Sequence, residues 1–193
     1  MQEASEMVAG GMMTAFFGPL TKLGLCCSTA KEFCERKDIE NAECKIASHL
    51  WSTCKVIAGS EEALQFLQEN MKDFEIKRLK RLNVSGAFHT NHMKPAAVAL
   101  KEVLKDMTIT SPKIPVHSNI DGKPYSRPDQ IRTNLPKQLY SSVQWEQTMH
   151  ILYDRSADVP FPNTYECGPG LSLKAILKQV NVKAISGMQN IEA

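Results

Sequence analysis

Between Gly10 and Val84 the spacing of apolar residues switches between strand-like and helix-like periods in an order that few folds accept. Gly11 to Phe17 (Gly-Met-Met-Thr-Ala-Phe-Phe) reads as a strand closed by Gly18-Pro19. Leu23, Cys26, Cys27, Ala30, Phe33 and Cys34 then recur at i, i+3, i+4 and i+7, which makes one apolar stripe on a helix. Two short strands are expected around Lys45 to Ser48 and Cys54 to Ala58. Gly59-Ser60 opens a second helix, with Ser60 as the expected N-cap, Glu61 and Glu62 in the first turn, and Leu64, Leu67, Met71 and Phe74 on one face. Ile76 to Val84 supplies a last strand. The order β-α-β-β-α-β is the ferredoxin-like arrangement, two helices covering one face of a four-stranded antiparallel sheet.

From Ser85 the pattern changes to strands followed by longer helices, as in an α/β layer. Met93, Ala96, Ala97, Leu100, Val103, Leu104 and Met107 form a helical stripe, with Thr90 or Asn91 as cap and Pro95 in the tolerated first turn. Val116 to Ile120 is expected as a strand ended by Asp121-Gly122. Helices over Asp129 to Leu139 and Val143 to Tyr153 follow, then a strand at Thr164 to Cys167. Gly168-Pro169-Gly170 turns the chain into a final helix carrying Leu173, Ile176, Leu177 and Val180. The expected fold class is α/β, with an intact ferredoxin-like α+β unit beside a partial α/β layer.

The 23 Lys and Arg against 21 Asp and Glu leave a net charge of +2, too little for bulk electrostatics to mark a nucleic-acid binder. The basic run Lys77-Arg78-Leu79-Lys80-Arg81 invites such a reading, because ferredoxin-like sheets include RNA-binding modules that stack bases on paired aromatics of central strands. Here the central strands are expected to offer Val56 and Ile57, with Trp51 in a loop, so no nucleic acid is expected. A charge-blunted strand edge, or a patch for acidic partners, accounts for the run. No stretch approaches the apolar length of a membrane span, and Met1 to Glu6 carries acids where a targeting peptide carries Arg or Lys. The six cysteines lack the spacing of a disulfide framework or a zinc site, and are read as reduced, buried thiols. His49, His92, His117 and His150 have no metal-ligand spacing, and no metal is expected.

His89 stands out because Val84-Ser-Gly-Ala-Phe-His-Thr90 carries it from a strand onto the front of a capped helix, the place where ligands collect in open sheets. The string from Ser85 to Ala96 resembles the histidine motif of the malonyl-CoA:acyl carrier protein transacylases. Asn119-Ile-Asp-Gly122, Gln138-Leu-Tyr-Ser-Ser-Val-Gln-Trp145 and Tyr165-Glu-Cys-Gly-Pro-Gly170 resemble three further motifs of that family, in family order. Trp145-Glu-Gln-Thr-Met-His150 is similar to the animal mitochondrial form. The resemblance implies a Ser-His dyad in which His89 is the general base for a serine on a G-x-S-x-G elbow. It further implies that the Gln138 backbone carbonyl orients the imidazole, and that Phe88 and Asn119 bind substrate, Phe88 restricting the acyl pocket to malonyl. Acyl carrier protein and a CoA thioester are the implied partners, with malonyl-CoA as substrate, no cofactor, a monomeric state and a mitochondrial matrix location. Residues 1–9 then read as the remainder of a large-subdomain helix, 10–84 as the ferredoxin-like subdomain, and 85–193 as the C-terminal part of the α/β subdomain.

Three departures accompany the resemblance. No G-x-S-x-G occurs in the 193 residues, so the nucleophile, the oxyanion-hole glycines and the carboxylate-clamping arginine are expected upstream of Met1. The alternative is a non-catalytic protein that binds acyl carrier protein or CoA. Pro136 falls inside a predicted helix, at a cost of about 3 kcal/mol if that helix is regular. Ser48 and Cys54 stand where the family has Asn and Gln, in what is expected to be a loop.

Overall fold

A computed structural model describes residues 1–156 and 158–192. A short helix α1 (Gln2–Met7) leads into β1 (Gly10–Phe17), α2 (Leu23–Arg36), β2 (Cys44–Trp51), β3 (Cys54–Ser60), α3 (Glu61–Glu69) and β4 (Ile76–Arg81). The four strands form one antiparallel sheet in the order β2-β3-β1-β4, the ferredoxin-like topology that the alternating periods predict. Because successive strand residues point to opposite faces, Met13, Ala15 and Phe17 of β1 join Ile57 of β3 and Ile76 of β4 under the two helices. Leu23, Cys27, Ala30 and Cys34 of α2 and Ala63, Leu64 and Leu67 of α3 close that core. The helices meet through Phe33 and Phe66, stacked with ring centroids 4.3 Å apart.

One glycine is dictated by close approach. A Cβ on Gly59 would lie 2.3 Å from the Glu43 carbonyl oxygen, so only glycine lets the start of β2 lie against the end of β3. Ser60 occupies the N-cap position of α3 but does not cap it. Its hydroxyl instead accepts from the Glu43 N–H (3.0 Å) and donates to the Glu43 carbonyl (3.1 Å), fastening the same two strand ends.

β4 is an edge strand whose Lys77, Arg78, Lys80 and Arg81 are all exposed, matching the charge-blunted edge read from the sequence. It ends at Arg81 rather than Val84. Trp51 is the last residue of β2 and not a loop residue, and its ring lies 6.2 Å from that of Phe16 on β1. Ser48 and Cys54 likewise lie on strands and not in a loop. Cys26, Cys27, Cys34, Cys44 and Cys54 are buried thiols and Cys167 is exposed. Burial pushes the Cys54 thiol up to about 11 and raises those of Cys26 and Cys34, which keeps them protonated and unreactive.

Beyond the sheet, a single 3-10 turn (Asn91–Met93) precedes α4 (Lys94–Asp106), followed by α5 (Pro128–Lys137), α6 (Trp145–Tyr153), β5 (Thr164–Cys167), α7 (Ser172–Val180), a 3-10 helix (Val182–Gly187) and β6 (Met188–Ile191). Thr90 caps the Asn91–Met93 turn, its hydroxyl accepting from the His92 N–H, while α4 itself starts from Met93 with no side-chain cap, so the expected cap acts one turn ahead of the helix. The stripe on α4 splits: Met93, Ala97 and Leu104 are buried, whereas Val103 and Met107 face outward. Pro136 falls in the last turn of α5, one residue before the helix ends, where loss of a backbone donor disrupts little of the helix.

Two strand expectations need correction. Val116 to Ile120 is not a strand; it folds as a turn closed by a single bridge between His117 and Pro124. Side chains take over the backbone there, with the Ser118 hydroxyl accepting from Ile120 N–H and the Asp121 carboxylate from Lys123 N–H. The parallel partner of β5 is β6, which the sequence reading missed, and α7 crosses between them. Met149, Tyr153, Leu177, Ala184 and Met188 form the small core beneath this pair.

Candidate active site

His89 sits on the connection that leaves β4 and crosses the sheet face opposite to α2 and α3. Ala87 is buried there among Met12, Ala47, Val56 and Ala58, with Phe88 packed against the same cluster. Phe88 also touches the cluster of Ala4, Met93, Ala97 and Leu139 beneath α4, so its ring spans the two halves of the chain. At His89 the backbone turns into the left-handed region, φ +63°, which non-glycine residues rarely adopt. That conformation persists because its surroundings hold it: His89 N–H donates to the Leu139 carbonyl (3.0 Å).

The same kink aims the imidazole at the turn that follows α5. Nδ1 lies 2.9 Å from the Gln138 carbonyl oxygen and 3.1 Å from that of Ser141. Both partners are acceptors only, so Nδ1 must carry the proton. The neutral ring therefore keeps its lone pair on Nε2, the arrangement a proton acceptor needs.

That turn is anchored to the open edge of the sheet. Val143 N–H donates to the Ala47 carbonyl (2.8 Å) and Val143 accepts from His49 N–H (2.9 Å), giving a parallel bridge between Ser48 and Val143. Val143 is thus a strand-like clamp and not the start of a helix, as its apolar spacing suggested. The Ser142 hydroxyl bonds the Ile46 carbonyl, and the Lys45 ammonium donates to the Tyr140 carbonyl (3.3 Å). In this way β2 positions the carbonyls that position His89.

The structure brings His89, Gln138 and Phe88 together. Asn119 stands one connection away: its carbonyl accepts from Gln144 N–H (2.7 Å), while the residue itself is exposed in a turn and not at a strand end. The larger hollows, about 490 and 570 Å³, flank α1 rather than His89. His117 is held structurally, its Nδ1 bonded to the Gly122 carbonyl (2.6 Å). Among the described residues no group of His, Cys, Asp and Glu is arranged to hold a metal, and no helix is long and apolar enough to cross a membrane.

Sequence reasoning missed Ser141, Leu139 and Glu43. The first two act through carbonyls, which every residue type possesses. Glu43 is buried and accepts from Asn91 N–H (3.2 Å) and Lys31 (3.1 Å), holding the turn just after His89. Burial works against its ionisation, but the bonds from Asn91 and Lys31 outweigh it and keep the carboxyl below its ordinary range. A carboxyl lowered by folding contributes stability above its unfolded pKa, near 4, and loses it as pH falls through the folded value. The stability advantage of the native protein over Glu43→Gln should therefore be full at neutral pH and shrink on acidification below about pH 4, which paired thermal melts would read.

No protein-family model matches the chain. Over 193 residues it is 46% identical to the Drosophila melanogaster protein named probable malonyl-CoA-acyl carrier protein transacylase, mitochondrial, covering all of this chain and 51% of that one. It is 45% identical over 184 residues to the human mitochondrial malonyl-CoA-acyl carrier protein transacylase, 95% of this chain and 47% of that protein. The chain belongs to the malonyl-CoA-acyl carrier protein transacylase family. It spans about half the length of the curated relatives it matches. The fold agrees with the solved structure of the malonyl CoA-acyl carrier protein transacylase from Coxiella burnetii, at a TM-score of 0.82 and 23% identity over 97% of this chain and 56% of that one. Within this transacylase-family chain, the histidine motif and the Gln138 to Trp145 motif are the two segments that the fold joins through the His89 ring.

Proposed function

We propose that this chain supplies the histidine portion of a malonyl-CoA:acyl carrier protein S-malonyltransferase of type II fatty-acid synthesis. The observation that carries the reading is the His89 ring, whose Nδ1–H is committed to two carbonyls and whose Nε2 is left basic. A serine hydroxyl is a poor nucleophile until a base takes its proton. In the proposed reaction, a serine brought from outside these 193 residues passes its proton to Nε2 as its oxygen bonds the malonyl carbonyl carbon. The carbon–sulfur bond then breaks, and the proton returns to the departing CoA sulfur. The second half repeats the sequence with the thiol of acyl carrier protein as acceptor, His89 taking and returning its proton.

Phe88, the residue before His89, is the proposed wall of the acyl pocket, where its bulk would exclude a branch on the acyl α-carbon. Asn119 and the Gln138 carbonyl complete the proposed site, the first toward substrate and the second as the orienting group. Acyl carrier protein and the CoA thioester are the partners, no cofactor takes part, the protein acts as a monomer, and the mitochondrial matrix is the proposed compartment. A second reading is a non-catalytic protein that binds acyl carrier protein or CoA.

The test compares malonyl transfer from CoA to acyl carrier protein by the chain alone and by the chain joined to the part of the Drosophila relative that it does not match. The joined protein should turn over and the chain alone should not. A folded joined protein that binds malonyl-CoA without transferring the group would favour the second reading.

A further inference from the structure

The groove between α4 and α5 gathers cations without an evident structural reason. A hollow of about 310 Å³ there is lined by Lys101, Lys105, Arg132 and Lys137, with Pro136 and Tyr140 as an apolar floor. A second hollow of about 270 Å³ shares Lys101, Pro136 and Tyr140 and adds Lys94. On α4 the spacings of seven and four residues put Lys94, Lys101 and Lys105 along one side of the helix, facing α5. No carboxylate lines either hollow among the described residues, although Glu102 on α4 pairs with Lys105. Like charges gathered at this distance repel one another, and the net charge of +2 shows that the crowding is local and not a property of the whole surface.

A second observation points the same way. Arg132 spends Nη2 on the Met107 carbonyl (2.9 Å), while its Nη1 is buried without a hydrogen-bond partner among the described residues. The Met107 bond fixes the Arg132 guanidinium at the wall of the hollow beside Lys101 and Lys137, and an oxyanion is the kind of group that such a set of cations attracts. We infer that the α4–α5 groove is a binding site for a phosphate-bearing small molecule, its phosphate held by Arg132, Lys101 and Lys137 and its apolar part resting on Pro136 and Tyr140. The volume suits a ligand of that size. The proposed acyl transfer assigns no role to the side chains of Lys101, Arg132, Pro136 or Lys137, and neither His89 nor Phe88 lines the hollows.

The experiment uses the 193-residue chain and three probes, followed through backbone amide shifts: inorganic phosphate, phenyl phosphate, and sodium chloride at matched ionic strength. Phenyl phosphate should give saturable shifts confined to residues 94–105 and 128–140, at lower concentration than inorganic phosphate, because only the ester reaches the apolar floor. Chloride should give none that saturate. Two exposed side chains provide variants that leave folding intact: Lys101→Gln combined with Lys137→Gln should weaken binding about tenfold or more. Arg132→Lys keeps the charge but loses the planar fork, and should weaken it as well. The inference fails if neither phosphate gives saturable shifts at millimolar concentration, if the double variant binds as tightly as the native chain, or if chloride reproduces the shifts. Tighter binding of inorganic phosphate than of the ester would remove the apolar floor from the site and overturn it too. An acidic peptide that binds where phosphates do not would make the groove a protein-docking surface and would equally overturn the inference. None of these readings depends on turnover, so their failure leaves the acyl-transfer proposal untouched, and the reverse holds.

Discussion

His89→Ala, in a protein that joins this chain to the unmatched part of its Drosophila relative, should lower the turnover of malonyl transfer by about three to six orders of magnitude. The size follows from chemistry: without a base, the serine hydroxyl must lose its proton to water, and the two groups of a dyad act as a unit. The KM for malonyl-CoA should change far less than kcat, because the ring is assigned to proton transfer and not to substrate affinity. Gln138→Ala is the control that separates side chain from backbone. Its contact with His89 runs through the carbonyl oxygen, which alanine retains, so turnover should stay within about tenfold of the native value. A Gln138→Ala loss as large as that of His89→Ala would mean that the glutamine side chain has a role the geometry does not assign.

Removing Glu166 should unfasten the C-terminal unit while leaving the four-stranded sheet in place. Glu166 is buried at the end of β5, and its two carboxylate oxygens accept from the N–H groups of Leu173 (2.7 Å) and Lys174 (3.0 Å) in the first turn of α7. A helix start exposes unsatisfied donors and a partial positive charge, and this carboxylate answers both from the neighbouring strand. Asn190 of β6 adds a further tie, its amide donating to the Glu166, Gly168 and Gly170 carbonyls (3.2, 3.0 and 2.6 Å). Glu166→Ala abandons two charge-assisted bonds in a buried setting and should cost about 2–3 kcal/mol. The loss should be local. Hydrogen exchange should quicken across residues 164–191, while β1 and β3 stay protected, since the two cores are built from separate sets of residues. Glu166→Gln retains one acceptor oxygen and should fall between the two.

The parts of this fold that were legible in the sequence are those where one physical signal decides the outcome. The ferredoxin-like unit could be read because its strands and helices each bury a single face, so the apolar period reports the element directly. Pro136 also announced itself, although only the structure shows that it sits where a helix is already ending, whereas Gly59 read as the opening of a helix and is instead required on β3 by its approach to Glu43. β6 left no such trace: Met188-Gln-Asn-Ile191 is four residues long with two polar side chains, too short for alternation to register. Val116 to Ile120 misled for the opposite reason, an apolar strand-like run whose polar neighbours Ser118 and Asp121 claim the backbone for a turn. Val143 misled because an isolated apolar residue before Trp145 fits a helix stripe as well as a bridge to Ser48.

The site divides along the same line. Residue types that carry chemistry, His89 above all, are visible as letters. The groups that aim it are not, because the carbonyls of Gln138, Leu139 and Ser141 belong to any sequence, and only the pairing of β2 with Ser142 and Val143 brings them to the ring. The left-handed backbone at His89 is equally silent: histidine adopts positive φ more readily than most non-glycine residues, but few histidines do so, and the letter alone does not announce it.

The fold fixes the His89 imidazole with its proton on Nδ1 and a free lone pair on Nε2. Nitrogen-15 NMR of the histidine rings in the 193-residue chain at neutral pH tests it without any need for turnover. The two nitrogens of His89 should resonate apart, Nδ1 as a protonated and Nε2 as a bare nitrogen of one stable tautomer. A His89 ring protonated on Nε2, or one averaging between tautomers as a free histidine does, would contradict the account.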